Sequence, residues 1–406
     1  MADLIYDDGY RANVGIIISN QNNNLFFAKR RYQSGWQFPQ GGIHLGEKPI
    51  QAMYRELSEE TGLNKKNTKF IKESEHWYQY QIPKKNIRKI IAKIICCKPE
   101  EVILTQSTTD GINIVANGLS FNDSSNIIIR GMTHEHHSNF YPWIKLKDKT
   151  SVRSLSIDPN GFFELDNLKS NIDENTKLVA LSHALYNTGS ILPIQKISKI
   201  LNNEIPLFID SAQTIGCIGD HDVSKLNCNF MSFNGSKWLC GPMGTGLFYC
   251  NRKSSELLEP KTIGGESAII DAENNLIFKD LPDKFQTGFR NYVGIVGLES
   301  SAKYLLNFGM ENIRKKNQHL SNLFRDELEK IPKIILYGPE DPNQRTSIVS
   351  FNIEGLDPQE IVDKLAQKNI ILAVREIMET KIIRVSPHFF NTDSEMLQVI
   401  DEIKKL

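Results

Sequence analysis

Short apolar runs alternate with longer mixed segments along most of this chain. Asn13–Ile18 and Leu25–Ala28 are apolar, lie either side of an asparagine-rich stretch, and predict two strands across a turn. Residues 49–60 have helical composition and run into Gly62, which predicts a helix with a glycine stop. Lys89–Cys97 is an apolar and basic helix pattern with no Gly/Ser linker before it. Strand-length runs then recur at Glu101–Thr105, Ile127–Arg130, Thr176–Leu181, Ile205–Ile209 and Asn229–Phe233. Helical patterns separate them, as in a wound α/β sheet. Several of these runs end in polar residues, at the strand ends where such sheets bind ligands.

Composition narrows the class. Apolar residues make up 40% and charged residues 24%, the balance of a soluble globular protein. The 48 Lys and Arg balance 48 Asp and Glu, so net charge gives no reason to expect a nucleic-acid or membrane partner. No run reaches the ~18–20 apolar residues of a membrane helix. The opening Met1–Asp8 has no basic-then-apolar signal pattern, so a cytoplasmic location is expected. None of the six cysteines forms a Cys-x-x-Cys pair, which favours reduced buried thiols over zinc or redox chemistry.

Two constellations carry chemistry. The first lies within residues 1–88. Gly41, then Glu47, then the run Arg55-Glu-Leu-Ser-Glu-Glu-Thr-Gly-Leu63 have the spacing of a Nudix box. On a helix Glu56, Glu59 and Glu60 share one face, and three carboxylates suit Mg²⁺ or Mn²⁺. Such an ion would neutralise a diphosphate and orient water. Asp7-Asp8-Gly9-Tyr10-Arg11, Lys29-Arg30, Trp36-Gln-Phe-Pro-Gln-Gly-Gly42 and His76-Trp77 onward resemble the bacterial RNA pyrophosphohydrolase subfamily. The resemblance implies a partial Nudix α/β/α sandwich, with Glu59 catalytic and Glu56, Glu59 and Glu60 as metal ligands. Arg11 and Arg30 would contact the phosphates of 5′-triphosphate RNA or a nucleoside polyphosphate. The resemblance stops near Ile87–Arg88, before the family's later strands.

The second constellation runs from there to Leu406. Gln106-Ser-Thr108-Thr109 follows a strand and opens a helix, a turn that cradles anions. His134-Glu-His136-His137, Ser182-His-Ala-Leu-Tyr-Asn187-Thr-Gly189, Asp210-Ser-Ala-Gln213 and Asn234-Gly-Ser236-Lys237 follow in that order. This order resembles the class V, fold-type I pyridoxal-phosphate (PLP) enzymes, in the cysteine desulfurase and isopenicillin N epimerase branch. The resemblance implies a wound mixed-sheet large domain over residues 89–300 and a C-terminal α/β small domain over 301–406, expected to form a homodimer. Lys237 would carry PLP covalently and later move the α-proton. Asp210 would pair with the pyridinium nitrogen and His136 would stack on the ring. Asn187 and Gln213 would serve the phenolic oxygen. Thr108, Thr109, Asn234 and Ser236 would lie at the cofactor, and Arg384 would clamp the carboxylate of an amino-acid substrate.

Three departures from the desulfurase pattern stand out. Asn234-Gly-Ser-Lys237 replaces Ser-Gly-His-Lys. Gln286-Thr-Gly-Phe-Arg-Asn291 replaces a Gly-Thr-x-Asn loop, and no cysteine lies after Cys250. The missing thiolate predicts that cysteine desulfuration is excluded, leaving transamination, epimerisation or β-elimination. The alternatives are a metal-dependent Nudix hydrolase and an inactive product of two joined gene pieces.

Overall fold

The computed structural model describes residues 4–6, 11–29, 36–76, 83–219, 221–288 and 291–406. The chain divides into two compact units, Met1–Gln81 and Ile82–Leu406.

In the first unit, the expected strands appear as shorter pieces. Asn13–Gly15 pairs antiparallel with Gln40–Gly42, Ile18–Ser19 with Leu25–Phe26, and Ala28–Lys29 with Trp36–Gln37. The helix Pro49–Thr61 forms as the sequence predicts, and Gly62 ends it in the left-handed conformation at φ 74°. Gly41 lets the Glu56 carboxyl lie against the strand, since a Cβ there would come 1.8 Å from its carboxyl carbon and push it aside.

The geometry does not support the expected metal trio. Arg55 gathers carboxylates of this helix and of the loop before it. It bonds Glu47 at 2.9 and 3.0 Å, Glu56 at 2.6 Å and the Gly42 carbonyl at 2.7 Å. This guanidinium pulls the Glu47 carboxyl down to about 2. Glu60 accepts the Gln40 N–H at 3.0 Å, and the exposed Glu59 meets Arg55 Nη1 at 3.4 Å. Among the described residues no group of three or more His, Cys, Asp or Glu side chains could hold a metal ion. Arg11 lies over Gly42, where a Cβ would meet its Nη2 at 2.3 Å. Arg30, Asp7–Tyr10 and Trp77–Gln81 lie outside the described residues.

The second unit is built on seven strands: β1 (Val102–Thr105), β2 (Asn126–Arg130), β3 (Ser151–Leu155), β4 (Thr176–Ser182), β5 (Leu207–Asp210), β6 (Phe230–Asn234) and β7 (Gly246–Cys250). Their order across the sheet is β1-β7-β6-β5-β4-β2-β3. β7 runs antiparallel to its neighbours, while the pairs from β6 to β3 are parallel. Parallel strands are covered on both faces, which is why these segments read as unbroken apolar runs. In β4, Val179 and Leu181 join one core while Leu178 and Ala180 join the other. In β5, Leu207 and Ile209 oppose Phe208 in the same way. Burying each such large side chain contributes about 1.5–3 kcal/mol.

The helical pattern at Lys89–Cys97 is the C-terminal part of α1 (Pro83–Ile95), whose Ile87, Ile91 and Ile95 recur every fourth residue in the core. α2 (Thr108–Gly118) follows β1 and is capped by Ser107, whose hydroxyl accepts the Asp110 N–H at 3.2 Å. It packs tightly on β6. A Cβ at Gly111 would lie 2.2 Å from Ser232 Oγ.

After a hairpin of β8 (Ala268–Ile270) and β9 (Leu276–Phe278), two long helices follow, α3 (Tyr292–Phe308) and α4 (Met310–Leu328). A four-stranded antiparallel sheet closes the chain: β10 (Ile334–Tyr337), β11 (Val349–Ile353), β12 (Ala373–Ile377) and β13 (Thr380–Val385), in the order β10-β11-β13-β12. α4, α5 (Pro358–Ala366) and α6 (Asp393–Ile403) contribute to the core of this sheet. No described helix is long and apolar enough to cross a membrane.

Candidate active site

β1, β4, β5 and β6 end on one edge of the large sheet, and each delivers residues of the second constellation. Asp210 is the last residue of β5. It is buried, forms no ion pair among the described residues, and accepts the Ala212 N–H at 2.9 Å. Burial raises its carboxyl to about 6, the nearby Glu135 adding to the effect. Such a carboxylate is poised to hold a proton-bearing ring nitrogen.

Lys237 follows β6 by three residues. Its side chain is reachable from solvent, yet enough protein surrounds it to disfavour the ammonium. Asp210 opposes that effect, while the charges of Arg384 and Arg375 reinforce it. Trp238, next in the chain, donates its indole N–H to Gln213 Oε1 at 3.0 Å. That bond leaves the Gln213 amide N–H groups free of this partner and ties the Lys237 loop to the loop after β5.

At the end of β1, Thr108 is buried and its Oγ1 has no partner among the described residues. Gly246 on β7 permits the close approach of this turn, since a Cβ would lie 2.3 Å from the Ser107 nitrogen. Thr109 lies beside Thr108 at the helix N-terminus. Asn234 Oδ1 is likewise unpartnered, and Ser236 is exposed beside Lys237. Phe289 and Arg290 lie outside the described residues.

The histidine cluster separates into different roles. His134 is fully buried and its Nδ1 lies 3.2 Å from Asn187 Oδ1. His136 is more open, stands edge-on to Tyr186 at 5.1 Å, and is pushed down to about 4 by burial and by the charge of Lys237. Asn187 sits at the turn after β4. Its Oδ1 also accepts the Thr188 N–H, and its Nδ2 donates to the Glu376 carbonyl on β12 at 3.0 Å. One amide hydrogen therefore remains for a ligand.

Beneath these residues lies a buried polar network with no sequence signature. Arg130 pairs with Glu135 at 3.1 Å, both buried, and Glu135 also accepts hydrogen bonds from the Ser182 hydroxyl and, at 3.2 Å, from the Asn139 amide. The pattern His134-Glu-His136 drew attention to the imidazoles, whereas the carboxylate between them is the hub. On β13, Arg384 donates from Nη1 to the Tyr186 carbonyl at 2.7 Å, and burial beside Arg375 lowers its guanidinium to about 10.

An unpaired buried carboxylate, a lysine disfavoured as ammonium, an unpartnered threonine hydroxyl at a helix N-terminus and an arginine facing inward define a fold-type I site fit for PLP. The chain belongs to the class-V aminotransferase family, whose model matches residues 50–398. A protein of Methanothermobacter thermautotrophicus named as a probable cysteine desulfurase is 30% identical over 331 residues, 78% of this chain and 81% of that one. A protein of Pyrococcus abyssi with the same name is 30% identical over 334 residues, 78% and 82% of the two chains.

Among solved structures, the apo cysteine desulfurase of Thermococcus onnurineus NA1 superposes with a TM-score of 0.74 at 25% identity, over 80% of this chain and 83% of that one. C-DES, described as a cystine C–S lyase, shares the fold with a TM-score of 0.73 at 22% identity, over 80% and 86% of the chains. It has been solved with glycine covalently linked to its PLP cofactor.

These relatives overturn the expectation that cysteine desulfuration is excluded. The hairpin β12–β13 contains no cysteine, but that removes one acceptor for sulfur and leaves the cofactor's power to labilise a C–S bond untouched. The family match and the relatives lend no support to the expected metal-dependent hydrolase.

Proposed function

We propose that this chain is a PLP-dependent enzyme that removes sulfur from cysteine. The observation that carries the reading is Lys237 within electrostatic reach of a buried, unpaired Asp210, in a chain 30% identical to proteins named as probable cysteine desulfurases. PLP, when bound, supplies an electron sink for the substrate's α-carbon.

Every other step falls to side chains of this chain. Asp210 keeps the ring nitrogen protonated, and its raised affinity for a proton suits that task. Thr108, Thr109, Asn234 and Ser236 hold the phosphate, with the α2 N-terminus adding its dipole. His136, uncharged at neutral pH, stacks on the ring without competing for its charge. Gln213 and Asn187 present amide hydrogens to the phenolic oxygen. Arg384 takes the substrate carboxylate and so fixes the α-hydrogen relative to Lys237. The lowered proton affinity of Lys237 raises the fraction of neutral amine, the form that accepts the α-proton. A homodimer and a cytoplasmic location accord with this reading.

The test is an assay of PLP-loaded protein with cysteine and a reducing thiol. Alanine and sulfide are expected from the wild type and not from Lys237→Ala. Absence of both products from the wild type sinks the proposal.

A further inference from the structure

We infer that a cleft between the segment after β4 and helix α4 is a second ligand site, and that it takes a small aliphatic carboxylate. The cleft has a volume of about 330 Å³, within the size range of small-molecule sites. Its walls come from the segment after β4, the loop after β5, α4 and the loop that leads into β11. No residue assigned to PLP or to the substrate carboxylate lines it. The inference therefore stands apart from the proposed reaction.

The wall is mostly apolar, with Ile191, Leu192, Ile194, Ile218 and Leu226 facing one another across it. Two buried polar side chains interrupt that wall. His183 is 4% exposed and its Nδ1 has no hydrogen-bond partner among the described residues. Burial pushes this imidazole down to about 4, so it is uncharged at neutral pH. Asn317 is 2% exposed. It donates its amide to the Cys217 carbonyl at 3.0 Å, and its Oδ1 is left without a partner. Buried polar atoms are almost always paired, so two exceptions lining one cleft point to an occupant.

The charge of that occupant follows from Arg345. This half-buried guanidinium donates from Nη2 to Asn322 Oδ1 at 2.8 Å, its Nε has no partner, and it forms no ion pair among the described residues. Asp326, Glu329 and Asp341 bear on it through charge alone. Arg314, on the same wall, is already satisfied by Glu311 at 2.7 and 2.9 Å. Lys196 is exposed at the rim and likewise forms no ion pair among the described residues. A partly buried cation without a counter-ion is costly, and one such guanidinium calls for one negative charge. A carboxylate supplies it in the plane that a guanidinium edge bonds. The apolar wall calls for an aliphatic body, which a sugar or a polyphosphate lacks.

The cleft shares its backbone with the turns that place the cofactor residues. The Ile191 N–H donates to the Gln344 carbonyl at 2.8 Å and the Thr346 N–H to the Gly189 carbonyl at 2.9 Å, so Arg345 lies on the segment that holds the turn after Asn187. The His183 N–H donates to the Asp210 carbonyl at 2.8 Å.

The experiment titrates the PLP-loaded full chain by calorimetry with 4-methylpentanoate, with its uncharged amide and with acetate. The acid is expected to bind once per chain. The amide lacks the charge and acetate lacks the buried CH₂ groups, so each should bind about 10-fold more weakly or worse. Arg345→Gln should weaken the acid by about 10- to 100-fold, the range of a hydrogen bond to a charged group. Lys196→Glu, at an exposed position, should weaken it by about 2- to 5-fold. Arg384→Gln, in the cofactor site, should leave its affinity unchanged. No binding of the acid to the wild type, or equal binding of the amide, overturns the inference. So does binding that is lost in Arg384→Gln and kept in Arg345→Gln. If thermal melts show that Arg345→Gln does not fold, Lys196→Glu decides alone, and an unchanged affinity there overturns the inference.

Discussion

Asn187 on the large sheet donates its side-chain amide to the Glu376 carbonyl on the small sheet at 3.0 Å, while His134 holds its oxygen at 3.2 Å. One buried side chain thus fixes the hairpin that carries Arg375 and Arg384 over the site. Asn187→Ala leaves His134 Nδ1 and the Glu376 carbonyl without that partner, at a cost of about 1–3 kcal/mol. Urea unfolding should show this loss, and the KM for cysteine should rise because Arg384 is less well placed.

Asp210 sets a pH dependence on the stability of the cofactor-free protein. Its folded-state value of about 6 lies above the ordinary aspartate value of 3.8, so its contribution favours folding fully below the lower value. That contribution is lost as pH rises through about 6, a swing of about 3 kcal/mol. Thermal melts from pH 4 to 7 should therefore show PLP raising Tm more at the upper end. Asp210→Asn should flatten the profile of the cofactor-free protein; an unchanged profile would assign the pH dependence elsewhere.

Much of this site was legible in the sequence because its residues sit where runs of apolar strand end. Thr108, Asp210, Asn234 and Lys237 follow or close β1, β5 and β6, and a wound sheet brings those ends together. Glu135 and Arg130 were not legible. Their pairing depends on the packing of β2 against the loop after it, and no spacing rule links a strand's last residue to a buried carboxylate five positions on. Arg375 drew no attention in the sequence; the β12–β13 register is what places it beside Arg384. In the first unit, helical periodicity puts three glutamates on one face, and Arg55 reaches back to bond Glu47 and Glu56.

The buried Arg130–Glu135 pair gives a third prediction. Glu135→Gln leaves a buried guanidinium without its counter-charge, which costs about 3–5 kcal/mol. It also removes the negative charge that helps raise Asp210. Denaturant unfolding should show the first effect. A downward shift of the acidic limb in the pH profile of PLP binding should show the second.

The six thiols should fall into distinct reactivity groups. Cys96 and Cys240 are exposed, Cys97 is partly covered, and Cys217, Cys228 and Cys250 are buried. A disulfide reagent added to the native protein should modify Cys96 and Cys240 rapidly and the three buried thiols only after denaturant. Rapid modification of Cys228 or Cys250 in the native state would contradict the packing of the two cores they belong to.

The most direct test of the account is to reduce the PLP-loaded protein with borohydride and locate the pyridoxyl group by peptide mass spectrometry. The account predicts the label on Lys237, and its loss together with the protein's yellow colour in Lys237→Ala. A label on any other lysine, or none on a protein saturated with PLP, would contradict it.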